Sequence, residues 1–193
     1  MQKLRKYQVS TIVFIENLTF IAAAFMILVI LSGCATATSA RSSMIGIKSA
    51  KRIAVVMFRG PEKLREPTTT EFTRELSDLD KFEIYDAARI QEFMDLNQLD
   101  PDIISSAKTR EMLRESLELD GAFTGDIITY PNKNPKRTTE NMELTVRMIS
   151  LETGQVSYSA IAKSDETGRL TGNQSEVIQA VVDMIINDIS KKF

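Results

Sequence analysis

The chain contains no histidine, no tryptophan and a single cysteine among its 193 residues. Without histidine it lacks the imidazole on which Ser-His nucleophiles and many metal sites depend. Its glycines form no P-loop, no dinucleotide-binding loop and no nucleophile elbow. The carboxylates that remain, such as Asp78 with Asp80 or Asp165 with Glu166, are typical of solvated turns. The sequence therefore predicts a protein that is not an enzyme and that uses no cofactor and no metal.

An excess of positive charge is also missing. The chain carries 24 basic and 26 acidic residues, for a formal net charge of −2. Proteins that bind nucleic acid concentrate Lys and Arg to neutralise phosphates, so we expect no nucleic-acid partner. One thiol cannot form an internal disulfide, so the fold must depend on its hydrophobic core.

The single cysteine follows a leader with the features of a signal peptide. Positive charge near the start, including Lys3 and Lys6, precedes an apolar segment at residues 18–31. That segment is shorter than the ~20 residues that span a bilayer, but it suits the apolar part of a signal peptide. It ends in the sequence LSGC at 31–34, which resembles the lipobox of bacterial lipoproteins. We therefore predict a signal peptide at residues 1–33, acylation of Cys34, and a short tether at residues 34–50.

An uncut membrane anchor is the competing interpretation of the leader. Adding the apolar residues 9–15 would lengthen the segment enough to span, but Glu16 and Asn17 would then lie in lipid. An acidic residue at the bilayer centre costs at least ~2.5 kcal/mol on insertion scales, which favours the lipoprotein. Ala35, rather than aspartate, follows the cysteine. We therefore expect a protein attached by acyl chains to the periplasmic face of the outer membrane.

Residues 51–193 show the pattern of one α/β domain. Residues 52–58 form an apolar run typical of a central strand, and further strands are predicted at 82–85, 122–130, 141–148 and 156–160. Helices are predicted to begin at the TTTE sequence of 68–71, after Asp86, and at Ser105 or Ser106, with a last helix after Asn173. Residues 59–67 are expected to form a charged loop. The predicted fold is a mixed β-sheet sandwiched by helices, in the order β-α-β-α-α-β-β-β-α.

Four segments in this order resemble the CsgG-like and TolB N-terminal-like periplasmic domain family. They are RIAVVMF at 52–58, FEIYD at 82–86, LDGAFTGDI at 119–127, and the ETG turn at 152–154 between two strands. The resemblance covers nearly all of residues 51–193. It implies a non-catalytic envelope lipoprotein that binds other proteins as an assembly or interaction factor of a secretion, flagellar or transport apparatus.

Several functions remain open within and beside that family. One alternative is an LpoB-like activator of a penicillin-binding protein in peptidoglycan synthesis, although a short tether limits its reach. Another is a small-ligand or glycan-binding module, which would show an aromatic-lined cavity near Tyr85 or Tyr130. A curli-type pore is disfavoured because the connection at 131–137 is too polar to form a membrane hairpin. Its basic residues Lys133, Lys136 and Arg137 are candidates for contact with an acidic partner or lipid headgroups. The partner protein is not specified, and homo-oligomerisation stays open.

Overall fold

The computed structural model describes residues 50–132, 140–166 and 173–193, together with the backbone of residues 41–44. The strands are β1 (Arg41–Met44), β2 (Arg52–Val55), β3 (Glu83–Tyr85), β4 (Gly121–Tyr130), β5 (Asn141–Ser150) and β6 (Val156–Lys163). The helices are α1 (Glu62–Asp78), α2 (Ala87–Leu96), α3 (Ala107–Leu117) and α4 (Gln174–Lys192), with a short 3-10 turn at Ser164–Glu166. Among the described residues, no helix combines the length and apolarity needed to cross a bilayer.

The six strands form one mixed sheet in the order β1-β6-β5-β4-β2-β3. Strand β2 pairs in parallel with β3 and with β4, whereas β4, β5, β6 and β1 follow one another antiparallel. From β2 to β6 the order of strands and helices is the one predicted from the sequence, which confirms the fold class. Strand β1 adds an edge to that sheet and lies within the segment that we predicted to be a tether.

One face of the sheet, which we call the aromatic face, is covered by α1 and α4. Its core contains the buried rings of Phe58, Phe72, Phe123 and Tyr158. The ring of Phe72 lies 5.3 Å from that of Phe58 and 5.4 Å from that of Phe123. Gly125 faces this core and must lack a side chain, because a Cβ there would lie 2.8 Å from the Phe58 ring.

The apolar stripe of α4 packs into the same core. All seven of its members are buried: Val177, Ile178, Val181, Val182, Ile185, Ile186 and Ile189. The side chain of Asn173 caps the helix by accepting a hydrogen bond of 3.1 Å from the Glu176 N–H, as predicted. At the other end of α4, the Tyr158 hydroxyl donates to the Asp188 carboxylate at 2.9 Å.

The opposite face is covered by α2 and α3 beside the parallel strands. The core on this side is built from aliphatic residues and methionine, including Ala54, Ile90, Met94, Leu113 and Ile149. Asp86 caps α2 by accepting from the Arg89 N–H at 2.9 Å, and Ser106 caps α3 by accepting from the Thr109 N–H at 3.2 Å. Both caps agree with the sequence prediction.

Helix α1 begins earlier than predicted, so the expected loop at residues 59–67 is wrong. The helix starts at Glu62 after Pro61 and continues through Pro67 in its second turn, although proline there cannot donate a backbone hydrogen bond. Leu64 is buried on the same stripe as Thr68, Phe72 and Leu76. Instead of acting as part of a cap, Thr69 joins the helix to the chain that follows β2. Its hydroxyl donates to the Arg65 carbonyl at 2.7 Å and accepts from the Phe58 N–H at 3.0 Å.

The predicted turn between β5 and β6 is confirmed. Gly154 adopts φ +72°, the left-handed conformation that favours glycine. A Cβ at this position would lie 2.8 Å from the guanidinium carbon of Arg110 on α3. Arg110 also donates to the carbonyls of Ile103 and Ile104, at 3.0 and 2.7 Å. Arg110 therefore binds the α2–α3 connection and lies against the β5–β6 turn.

Candidate interaction surface

The residues that the sequence analysis proposed for function lie outside the described residues. Cys34 belongs to the leader and tether region, and Lys133, Lys136 and Arg137 fall within the connection between β4 and β5. The structure describes the two ends of that connection, since β4 ends at Tyr130 and β5 begins at Asn141. The proposed roles of these four residues therefore stay predictions.

A surface on the described strands offers a different candidate. We call it the open face: the side of β4, β5 and β6 turned away from the aromatic face, beyond the core under α2 and α3. Two large apolar residues on it, Ile128 and Ile161, are 54% and 39% exposed and belong to neither core. The other side chains that alternate onto this face include Thr124, Asp126, Tyr130, Asn141, Glu143, Thr145, Arg147, Ser159 and Lys163.

Ion pairs connect the strands of the open face. Asp126 on β4 accepts from the Arg147 guanidinium on β5 at 2.5 Å and from Arg59 Nε at 2.8 Å. On the next row, Lys163 Nζ lies 2.8 Å from the Glu143 carboxylate. Opposite charges on neighbouring strands stabilise a sheet by fractions of a kcal/mol each and fix the positions of the side chains.

The Asp126 carboxylate carries the central negative charge of this surface. Partial burial raises its pKa, but the hydrogen bonds and positive charges of Arg147 and Arg59 outweigh burial, so the net pKa lies below the usual value. Asp102, in the α2–α3 connection, behaves alike. Burial raises its pKa, and hydrogen bonds from Ser105 and Ile104 together with the charge of Arg59 lower it overall. Both groups therefore stay ionised at neutral pH and keep the surface polar.

At one end of the open face, the Tyr130 hydroxyl donates to the Asp165 carboxylate at 2.8 Å. Between the two isoleucines lie Glu143 and Thr145, because Ile128 pairs with Glu143 and Ile161 pairs with Thr145. The surface thus consists of two separate apolar points within a framework of paired charges. Such a mixture resembles a protein–protein interface more than an active site, since interfaces combine apolar contacts with a satisfied polar rim.

The side of β5 on the open face is polar but only partly exposed. Glu143 and Arg147 reach solvent, but Asn141 and Thr145 on the same side are only 5% and 8% exposed. The ion pairs of Asp126 with Arg59 and Arg147 were not predicted from the sequence. Strict alternation along β5 indicates which side Arg147 occupies, whereas its neighbour on β4 depends on a strand register that the sequence does not specify.

Two cavities bear on the small-ligand alternative. One, of about 470 Å³, lies between α1 and α2 where β2 and β3 end, and its lining includes Met57, Thr69, Arg74 and Asp86. The other, of about 400 Å³, lies between α1 and the start of α4. Neither lining contains an aromatic residue. Among the described residues there is also no group of three or more cysteine or carboxylate side chains placed to hold a metal ion.

The two tyrosines named for a ligand cavity are engaged elsewhere. The guanidinium groups of Arg52 and Arg89 lie 5.4 and 5.7 Å from the centre of the Tyr85 ring, and Arg52 also donates to the Tyr85 hydroxyl. Tyr130 binds Asp165. Neither tyrosine ring lines either of the two cavities.

Comparisons with known structures support the fold. No protein-family model and no curated protein sequence matches the chain. Lipoprotein GNA1162 from Neisseria meningitidis aligns with 15% identity over 73% of this chain and 99% of its own, with a TM-score of 0.54. A PelC dodecamer from Paraburkholderia phytofirmans aligns with 13% identity over 77% of this chain and 95% of its own, with a TM-score of 0.51. At these identities the likeness establishes a shared α/β fold and nothing about activity.

The LpoB C-terminal domain from Escherichia coli aligns more weakly. It shares 17% identity over 62% of this chain and 85% of its own, with a TM-score of 0.43. That score is too low to support an inference about function.

Proposed function

We propose that this chain is a non-catalytic lipoprotein of the bacterial envelope that binds another envelope protein through its open face. Acyl chains on Cys34 hold it on the membrane, on the periplasmic face of the outer membrane. The LSGC sequence at 31–34 supports the anchor. Two or three acyl chains bind a bilayer almost permanently, at ~0.8 kcal/mol for each buried methylene.

The observation that carries the binding role is the open face itself. Paired strands hold Ile128 and Ile161 in solvent, and each of the four charged side chains nearest to them has a partner of opposite sign: Asp126, Glu143, Arg147 and Lys163. A partner could therefore cover the isoleucines without burying an unpaired charge, which would otherwise cost several kcal/mol. Because the charges balance, the surface favours a protein partner of near-neutral surface over a polyanion.

Basic residues outside the described part supply a second proposed contact. Lys133, Lys136 and Arg137 are proposed to meet an acidic partner or lipid headgroups. Near an anionic membrane each such charge contributes up to ~1 kcal/mol.

The alternatives have less support. An LpoB-like activator would have to reach a synthase across the cell wall, and pairing of β1 with β6 leaves little of residues 34–50 to extend. A ligand-binding role would require a lined pocket, and the two cavities described above lack aromatic walls. Self-association is open, and the dodecamer seen for PelC is a property of that protein.

Photo-crosslinking in intact cells tests the interaction. A photoreactive amino acid is placed at Ile128 or Ile161, and at Glu111 on the exposed side of α3 as the control. We expect protein adducts from the first two positions and few from the third. An adduct with a second copy would identify the partner as the protein itself. Equal capture at all three positions, or adducts with lipid alone, would show that the open face is not the binding surface.

Lipidation is tested separately by intact mass. The mature protein is expected to begin at Cys34 and to carry two or three acyl chains, whereas Cys34→Ser should retain the leader. An intact leader with a free thiol in the unsubstituted protein would refute the anchor, whatever the crosslinks show.

A further inference from the structure

Strand β1 lies close to the proposed anchor in the sequence. It begins at Arg41, seven positions after Cys34, and pairs antiparallel with β6 from Arg41 opposite Ile161 to Met44 opposite Tyr158. Most of the predicted tether therefore does not separate the sheet from the anchor. Only the six residues between Cys34 and Arg41 do so.

The direction of β1 determines where the chain enters the sheet. Two ends can be distinguished. At the first, which we call the entry end, β4 finishes at Tyr130, β5 begins at Asn141 and β6 finishes at Lys163. At the second, which we call the turn end, β5 and β6 are joined through Gly154. Because β1 is antiparallel to β6, it starts on the side of the entry end and runs toward the turn end.

The direction of β1 matters because the segment between Cys34 and Arg41 is shorter than the sheet is long. Seven residues span at most ~25 Å, the length of a fully extended chain. Strand β5, with ten residues, is about 30 Å long. An anchor that leads away from the entry end therefore holds that end nearer the bilayer than the turn end.

We propose that β1 orients the domain on the membrane, with the entry end facing the bilayer surface and the turn end facing away. The partner in this interaction is the lipid surface itself. The proposal deepens the proposed function and rests on the anchoring of Cys34. The strands then stand roughly upright, and the open face points sideways, parallel to the membrane plane, where a neighbouring envelope protein can reach it.

Single introduced cysteines make the orientation measurable, because acylation consumes the chain's own thiol. Glu140 and Glu152 are both exposed glutamates and lie just beyond opposite ends of β5. The variants Glu140→Cys and Glu152→Cys are expressed with the leader, purified from membranes, labelled with a fluorophore and reconstituted into phosphatidylcholine vesicles that contain a nitroxide-headgroup quencher. We expect at least threefold stronger quenching for the label at 140 than for the label at 152.

A control tests whether β1 causes the difference. Adding Ser42→Pro and Ser43→Pro removes two adjacent backbone N–H groups, one of which must face β6. The difference in quenching should then shrink to less than half, while urea unfolding shows that the rest of the domain stays folded. Equal quenching of the two labels in the chain with intact β1, or stronger quenching at 152, would overturn the orientation.

Failure of the anchor can be told apart from failure of the orientation. If intact mass shows no acyl chains, the proposed function fails and Cys34 accepts a second label. The distance between the labels at 34 and 140 is then compared with that between 34 and 152. The placement of the entry end predicts that the first distance is shorter, and the reverse result would refute it.

Discussion

The two faces of the sheet differ in what covers them and in how much they leave uncovered. The aromatic face lies under two long helices, α1 with 17 residues and α4 with 19. The opposite face lies under α2 with 10 residues and α3 with 11, and its core contains no fully buried aromatic ring among the described residues. The aromatic face contains the larger buried core. On the opposite side, the helices cover only part of the sheet, and the rest is the open face. The larger core and the proposed binding surface thus lie on different sides of one sheet.

The largest effect is expected at the centre of the aromatic face. Phe123 is fully buried, and its ring lies within 6.4 Å of the rings of Phe72, Phe82 and Tyr158. Phe123→Ala removes these contacts and leaves a cavity, so we expect the free energy of unfolding to fall by about 4 kcal/mol. Urea unfolding followed by far-UV circular dichroism measures it. A loss below about 1 kcal/mol would contradict the central place given to this ring.

A smaller effect is expected in the core under α2 and α3. Leu113 on α3 is fully buried there. Leu113→Ala should lower the free energy of unfolding by about 2–3 kcal/mol, because short helices with few large neighbours can close part of the cavity. The same urea titration compares it directly with Phe123→Ala. If Leu113→Ala were the more damaging of the two, the ranking of the faces would be reversed.

The charged network of the open face should contribute less than either core. Asp126→Asn removes the ion pairs with Arg59 and Arg147, which are partly exposed and screened, so we expect a loss of about 1 kcal/mol at pH 7. The pKa of Asp126 is lowered by folding. Its stabilisation is therefore present above the unfolded pKa of ~3.9 and is lost as pH falls through the folded pKa.

The difference between this variant and the unsubstituted protein should accordingly vanish in acid. Unfolding curves at pH 7 and below pH 3 measure that difference. The control is another variant of the open face, Ile128→Ser. It should weaken crosslinking to the partner protein and change the free energy of unfolding little. A pH-independent effect of Asp126→Asn would mean that the carboxylate acts through packing instead of charge.

The smallest expected effect lies between the two helices of the aromatic face and has the opposite sign. Burial raises the pKa of Asp183 on α4, and Glu75 and Glu71 on α1 raise it further. The ionised form is thus unfavourable in the folded state at neutral pH, and stability rises as pH falls through the raised pKa. Asp183→Asn should stabilise the protein by about 0.5 kcal/mol at pH 7 and by less in acid. Destabilisation at pH 7 would show that the carboxylate has a favourable role.

The sequence predicted three of the four helix starts well because their signals are local. The caps at Asp86, Ser106 and Asn173 depend on neighbours within one turn, and all three were found where expected. The start of α1 was missed because two prolines suggested a loop. The spacing of four from Leu64 through Thr68 and Phe72 to Leu76 is the signal that could have revealed it.

The open face was predictable only in outline. Alternation along β5 showed that Glu143 and Arg147 share a side, but their partners come from β4, β6 and the chain after β2. Pairing across strands depends on register, and β5 and β6 shift register at Met148 and Ile149. Such long-range geometry leaves no local pattern, which is why the ion pairs emerged only with the structure.

The antiparallel pairing of β1 with β6 also has a mechanical consequence. Traction between a fixed N-terminus and a bound partner would pull Arg41 along the axis of its own strand. All the backbone bonds that join the two strands would then resist together, in shear, instead of opening one by one as they do when a strand is peeled sideways. Force on the proposed anchor would in this way pass from β1 into β6 along its whole paired length before it reaches the rest of the sheet.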